Sequence, residues 1–304
     1  MSTPFDILGL GCVAVDDLIY VPHYPAADSK VRVQHRERQP GGITATALAA
    51  ATRMGARCQY AGALGFDDLS EYSICEMGKA AIGLDHLCRH QDARPYHSAI
   101  VVDEQRKTRT IFFDRPALTG AFPNWPAAEV IRSAKALFVD YLGAEGMLRA
   151  TKIALEAGIP VVGDIEIVPD EDSLRTLAGL VNHLIVSSEF AQEWTGAASP
   201  SEAVRALWSS QRQTVIVTCG ADGCWYLDGT RYSAPVHQPA CRVDVVDTTG
   251  CGDVFHGAYA AGLAEGLDVT ERIRLASAAA ALKATRRGGQ SGIPSRAEVE
   301  AMRP

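Results

Sequence analysis

Over the first sixty residues the spacing of apolar positions changes twice. Phe5-Asp6-Ile7-Leu8-Gly9-Leu10-Gly11 is a short apolar run that predicts a strand over 5–11. The stretch Val15-Asp16-Asp17-Leu18-Ile19-Tyr20-Val21 is β-rich and stops at Pro22. It predicts two short strands within 18–38 around a turn at 22–28. From Gly42 the apolar period lengthens, and an alanine-rich stretch predicts a helix over 42–54. A strand at 57–64, a helix at 67–81 and a strand at 84–89 follow. Segments 94–102 and 108–114 read as another strand pair, joined by the polar turn 103–107.

Beyond residue 135 strands and helices take turns. Strands are predicted at 136–139, 160–163, 183–186 and 214–218, and helices at 146–157, 171–180, 187–194 and 201–209. This βαβα alternation is the pattern of a parallel sheet covered on both faces, with ligands bound beyond the carboxyl ends of its strands. The four strands within 14–38 and 94–115 have little helix between them and predict a separate small sheet. A helix of small residues at 273–285 ends the pattern, and one α/β domain spanning 1–304 is expected.

The candidate chemistry lies in Val246-Asp247-Thr248-Thr249-Gly250-Cys251-Gly252-Asp253-Val254-Phe255. The β-branched run 243–246 reads as a strand end, the threonines and glycines as a turn, and Val254, Phe255, Ala258 and Ala261 as one face of a helix. A helix start leaves amide N–H groups unpaired and partly positive, so it can hold an anion. Gly250 and Gly252 let the backbone come close to that anion. Asp253 is either a first-turn helix residue or a general base beside an anion hole. The second reading accounts together for the acid, the glycines and the absence of a Gly-x-x-x-x-Gly-Lys-Ser/Thr string.

The run 247–255 resembles the C-terminal signature of the ribokinase-like (PfkB) carbohydrate kinases. Gly41-Gly42 opening an alanine-rich helix resembles the family's other pattern. The resemblance implies a three-layer sandwich with a mainly parallel central sheet, a β-sheet lid made of about 14–38 and 94–115, and phosphoryl transfer from ATP with Mg2+ to a sugar. It makes Asp253 the base and the amides of Gly250, Cys251 and Gly252 the holders of developing charge. On the sugar side it implies Asp16, Gly41, Gly42 and Thr46, with Asp17 on the opposite face because strand side chains alternate. Ile43 and Thr46 stand where the family often has asparagines.

Pro25-Ala26-Ala27-Asp28-Ser29 resembles the ketohexokinases, which brings Asp28 to the sugar and implies a homodimer through the lid. Asp114-Arg115 resembles the same enzymes, with Arg115 reaching a phosphate. Thr218, Gly220 and Gly223 resemble the ATP edge, joined by Ser187 and by Ser277 of the small-residue helix. The family's Asn-x-x-Glu is replaced by Ser187-Ser188-Glu189, so Glu189 is the candidate for holding Mg2+ through water, with Asp164 and Glu166 as helpers. Asp247, Thr249 and Gly289 resemble a monovalent-cation (K+) site. The stretches 243–258 and 276–294 resemble sulfofructose kinases, yet Asp114 and Tyr141 occupy the positions that take the sulfonate there. A carboxylate repels a sulfonate, so the expected substrate is a neutral ketose such as fructose, phosphorylated on a terminal hydroxymethyl. Ribose or a nucleoside stands second.

Composition narrows the alternatives. A net charge of −7, with no basic block, argues against nucleic acid. The first residues lack the basic and apolar regions of an export signal, and no apolar run reaches a membrane span. A cytoplasmic protein is therefore expected. The eight cysteines form no Cys-x-x-Cys pair, so neither zinc nor a disulfide scaffold is expected. Cys251 is expected to be a reactive thiol through the adjacent helix terminus. Gly9-x-Gly11-x-x-Ala14, with Asp28 downstream, formally matches a dinucleotide fingerprint, but a β-rich stretch stands where that motif needs a helix. A sugar-binding protein without catalysis is the remaining alternative.

Overall fold

The computed structural model describes residues 5–106, 108–114, 118–167, 172–231 and 233–302. Strand β1 (Ile7–Leu10) leads into β2 (Ala14–Val21), and β3 (His35–Gly41) runs through Gly42 into α1 (Ile43–Arg53). With β2 where a dinucleotide fold would place its helix, the Gly9-x-Gly11 fingerprint is excluded on context. Instead of one strand over 57–64 the chain forms β4 (Cys58–Tyr60) and β5 (Ala63–Leu64), followed by α2 (Asp68–Lys79). Of the strand expected at 84–89 only β6 (Cys88–Arg89) forms, ahead of β7 (Tyr96–Asp103) and β8 (Thr108–Asp114).

The alternating region contains α3 (Ala128–Arg132), β9 (Ala136–Val139), α4 (Ala144–Glu156), β10 (Val161–Asp164) and α5 (Asp172–Leu180). It continues with β11 (His183–Ser187), α6 (Ser188–Thr195), α7 (Pro200–Leu207) and β12 (Thr214–Thr218). Then come β13 (Cys224–Asp228), β14 (Val236–Gln238), α8 (Cys251–Glu265), α9 (Val269–Ala284) and α10 (Arg296–Met302).

The main sheet has the order β14-β13-β12-β11-β10-β9-β1-β4. Its members from β12 to β4 are parallel, while β13 and β14 add an antiparallel edge. Alternation along each strand splits the core into two layers. Ile7, Phe138, Val162, Ile185 and Ile216 pack with α1, α8 and α9 through Ala47, Val254 and Ile273. Their neighbours Leu8, Leu137, Val161, Leu184 and Val215 pack on the opposite side against α4, α5 and α7 through Ala150, Leu177 and Val204. The result is an α/β three-layer sandwich. A second sheet, β3-β2-β7-β8, stands apart from it. No helix of the described residues is long and apolar enough to cross a membrane.

One contact seats α8. A Cβ placed on Gly257 would lie 2.0 Å from the carbonyl oxygen of Ala47, so α1 and α8 touch backbone to backbone there. The alanines of α1 serve the same approach, since Ala45 and Ala47 to Ala51 are all buried. We expect Gly257→Val to lower stability by about 2 kcal/mol or more through overpacking, read as an earlier urea midpoint. An unchanged midpoint would contradict this packing.

Candidate active site

Because β4, β1, β9, β10, β11 and β12 run parallel, their carboxyl ends share one edge of the main sheet. Asp140 and Tyr141 follow β9, Asp164 ends β10, and Glu166 lies two residues beyond it. Gly250, with φ 75°, is the left-handed residue that starts α8 at the same edge. The turn before it does not come from a strand as expected. Residues 243–246 stay irregular with Val245 and Val246 exposed, and the amides of Val246 and Asp247 both donate to the Ala284 carbonyl at the end of α9. A β-branched run pairs as a strand only where a neighbouring strand offers an edge, and here a helix end takes its donors.

Of the amides expected to form the anion cradle, that of Cys251 is committed, donating to Thr248 O at 3.2 Å. Cys251 therefore leaves the cradle. The amides of Gly250, Gly252 and Asp253 have no acceptor among the described residues. A Cβ on Gly252 would meet open space, whereas one on Gly250 would lie 3.7 Å from Asp253 Oδ2 and 3.6 Å from Thr46 Cγ2. The carboxyl, the free amides and α1 thus converge. Thr46 is buried and accepts from Gln290 Nε2 at 3.3 Å.

The carboxyls here form an acidic floor. Burial lifts Asp253 well above the usual carboxylate range, and the negative charges of Asp164, Glu166 and Asp140 lift it further, with His256 pulling back. Asp164 is raised by burial and by Glu166 and Asp140. Burial also pushes Asp140 up to about 7, although the amides of Cys12 (2.6 Å) and Leu142 (2.8 Å) and the Thr44 hydroxyl (2.9 Å) favour its ionised form. Glu166 and Tyr141 are raised as well, each chiefly by desolvation. His256 pins α8 to the sheet: Nδ1 lies 2.8 Å from Gly252 O and Nε2 lies 3.1 Å from Ile185 O.

A cleft of about 740 Å³ lies between the second sheet and the 245–249 turn, lined by Asp16, Gln39, Ser98, Arg109, Thr249 and Gly288 among others. Asp16 is raised by burial, against the Ser98 hydroxyl opposite it on β7. Asp17 points the other way, bound by Arg38 Nε at 2.7 Å and by His97 Nε2 at 2.8 Å. Gly41 packs on Asp16, since a Cβ there would be 2.6 Å from Asp16 Oδ2. Gly42, at φ 95°, starts α1 where a Cβ would strike Ala14 N at 2.6 Å.

Asp247 also lines this cleft, while other expected residues fall elsewhere. Asp28 sits exposed in the loop between β2 and β3, and Asp114 ends the exposed strand β8; neither lines this cleft. Arg115 lies outside the described residues. Ser187 caps α6 by accepting from Phe190 N at 3.2 Å, and Thr218 donates to Val186 O at 3.3 Å. Gly220 starts a 3-10 turn at φ 54°. Gly223 has a structural reason to be glycine, because a Cβ there would sit 2.0 Å from Gln238 O of β14. Ser277 is half-buried along α9, and Glu189 is exposed in the first turn of α6. Asp247 accepts from the amides of Thr249 and Gly288, both at 2.8 Å, which hold its carboxyl low although burial opposes them. Sequence reasoning missed Asp140 and Lys283. A buried acid at a strand end and a buried lysine carry no local pattern that separates them from surface charges.

Comparison with known proteins adds an independent line. The family model described as pfkB family carbohydrate kinase matches residues 10–296. The crystal structure of a candidate ribokinase from Agrobacterium tumefaciens is 30% identical, with TM-score 0.90 over 98% of this chain and 97% of that one. The Arabidopsis thaliana protein named "Probable fructokinase-4" is 26% identical over 87% of each chain. The Arabidopsis thaliana ribokinase complexed with ribose and ATP shares the fold at 21% identity, with TM-score 0.85 over 99% of both chains.

The thiol of Cys251 corrects an expectation. Burial raises it, and this outweighs the Lys283 charge that would lower it; a thiol so raised is a poor nucleophile. We expect iodoacetamide at neutral pH to label exposed Cys75 before Cys251, read by peptide mass spectrometry. Labelling in the reverse order would restore the reactive-thiol reading.

Proposed function

The chain belongs to the pfkB family of carbohydrate kinases, and from that premise we propose that it transfers the γ-phosphoryl group of ATP to a terminal hydroxymethyl of a neutral sugar. The observation that carries this reading is the Asp253 carboxyl set beside the unpaired amides of Gly250, Gly252 and Asp253 at the start of α8. Asp253 takes the hydroxyl proton, and a carboxylate of raised pKa is a stronger base for that task than an ordinary one. The three amides hold charge that develops on the transferring group. Asp16 and Ser98 in the cleft accept and orient sugar hydroxyls, with the Gly41-Gly42 turn admitting the ring close to backbone.

No group of three His, Cys, Asp or Glu among the described residues is arranged to hold a metal directly. A Mg2+ ion brought in by the nucleotide would supply neutralisation of phosphate charge. Glu166, whose charge reaches Asp253, is better placed than Glu189 to hold its waters. The nucleotide lies along the strand ends marked by Ser187 and Thr218. Fructose is the first choice of substrate, in keeping with the fructokinase-named relative. Ribose stands second, in keeping with the 30% identity to the ribokinase-named structure from Agrobacterium tumefaciens. The exposed Ile111, Phe112 and Phe113 of edge strand β8 support a homodimer through the second sheet. The need for ATP supports a cytoplasmic setting.

A coupled assay of ADP release across fructose, ribose and nucleosides tests the substrate, and silence on every sugar would sink the proposal. Asp253→Asn should bind sugar and ATP yet turn over about a thousandfold more slowly, as single-turnover kinetics would show. Because the base works ionised and its pKa is raised, kcat/KM should fall on the acid side at a pH above the ordinary carboxylate range. Glu166→Gln removes a neighbouring negative charge and should move that limb to lower pH. A limb that stays put would remove Glu166 from this role.

A further inference from the structure

Lys283 has no exposed surface, an unusual place for an ammonium group. Its Nζ donates to Asp247 O at 2.9 Å and to Arg286 O at 3.5 Å, and lies 4.0 Å from Asp247 Oδ2. Gly292 makes room for the chain, since a Cβ there would come within 3.2 Å of Lys283 Cε. The ammonium thus ties the catalytic turn to the loop that follows α9, and its charge reaches both Cys251 and Asp253.

The residues expected to bind a monovalent cation do not fit one. The Asp247 carbonyl is occupied by Lys283, and both Asp247 carboxylate oxygens accept amides. Thr249 Oγ1 accepts from Arg109 at 2.8 Å. Gly289 contributes a backbone that packs on Thr249 and Gly250, since a Cβ placed on it would lie 3.9 Å from Thr249 Cγ2. An ammonium supplies one positive charge and up to three directed N–H donors, which is what the surrounding carbonyl oxygens ask of a cation.

We propose that Lys283 is a tethered replacement for the monovalent cation, a positioning residue that holds the 247–253 turn in working geometry without K+. Desolvating an ammonium is costly unless it is well paired, and here that cost is met at the one turn where the proposed chemistry takes place. Lys283 acts through the Asp247 carbonyl and the backbone behind Gly250, and touches no reacting atom.

This inference rests on the kinase reading, so its test includes a measurement that needs no turnover. At fixed ionic strength, the thermal midpoint of the ligand-free protein should be the same in K+, Na+ and choline salts. Lys283→Ala should melt earlier in choline and regain several degrees in K+ or ammonium, which enter the vacated space. With a sugar substrate in hand, wild-type kcat should agree within about twofold among the three salts. Lys283→Met, which keeps the volume without the charge, should lose about a hundredfold in kcat with little change in KM. Ammonium or K+ should restore part of the turnover of Lys283→Ala. Strong K+ stimulation of the wild type, near-normal kcat in Lys283→Met, or a folded Lys283→Ala that no cation rescues would each overturn the proposal. Should neither variant fold, the wild-type salt comparison decides alone. If no sugar is phosphorylated, the midpoints still test the cation role while the kinase reading fails.

Discussion

The contact between Gly257 and the Ala47 carbonyl fixes how close two helices can lie. That separation decides where the start of α8 meets the end of the sheet. A side chain at Gly257 would push the helices apart, carrying the Gly250 turn away from Thr46 and Asp253 away from the strand ends. His256 adds a second constraint, bridging Gly252 O to Ile185 O across the first turn of α8. A core built of small residues therefore serves precision at the edge of the fold as well as burial. Interiors this dense transmit displacement and do not absorb it.

Holding a helix start against the ends of β9 and β10 concentrates like charge. Desolvation is the largest cause that raises Asp140, Asp164, Glu166 and Asp253; the Glu166 charge raises the other three further, and Asp140 and Asp164 add to Asp253. Left alone such a cluster would simply stay protonated. Two positive features face it: the free amides of the α8 terminus and, behind the turn, the Lys283 ammonium. The balance leaves Asp253 basic enough to want a proton and close enough to a positive field to give up its own. This is the general way a fold separates the roles of neighbouring carboxyls, through environment and not through residue type.

Much of this was legible in the chain. The strand rhythm around Asp16 and Asp17 separated the cleft-facing carboxyl from its solvent-facing neighbour, and the Gly-Cys-Gly-Asp turn located the helix start. The strand expected at 243–246 failed because valine spacing records a preference for extended backbone and says nothing of whether a partner edge exists. The antiparallel hairpin of β13 and β14 went unread although Cys224-Trp225-Tyr226-Leu227 is apolar and β-prone, because β14 has three residues with one aliphatic among them and offers no matching pattern. Resemblance brought Asp28 and Asp114 to the sugar, but whether they line the cleft depends on how the strands of the second sheet pair, which is a property of the whole sheet. Lys283 was hidden for a different reason. On a helix of alanines one lysine reads as a solvated charge, and only the turn packed over it from 36 residues upstream reverses that.

The join between the smaller sheet and α1 is brief. Gly41 is the last residue of β3 and Ile43 the first of α1, so a single glycine separates the smaller sheet from the helix that carries Thr46. With φ at 95° and backbone atoms pressed around its Cα, Gly42 has few other conformations open to it. At this connection a swing of the small sheet is taken up by Gly42 or passed into α1. The smaller sheet and the start of α1 are in this sense one lever with a stiff fulcrum, and under the proposed function grip on a sugar in the cleft would be felt at the amides that start α8.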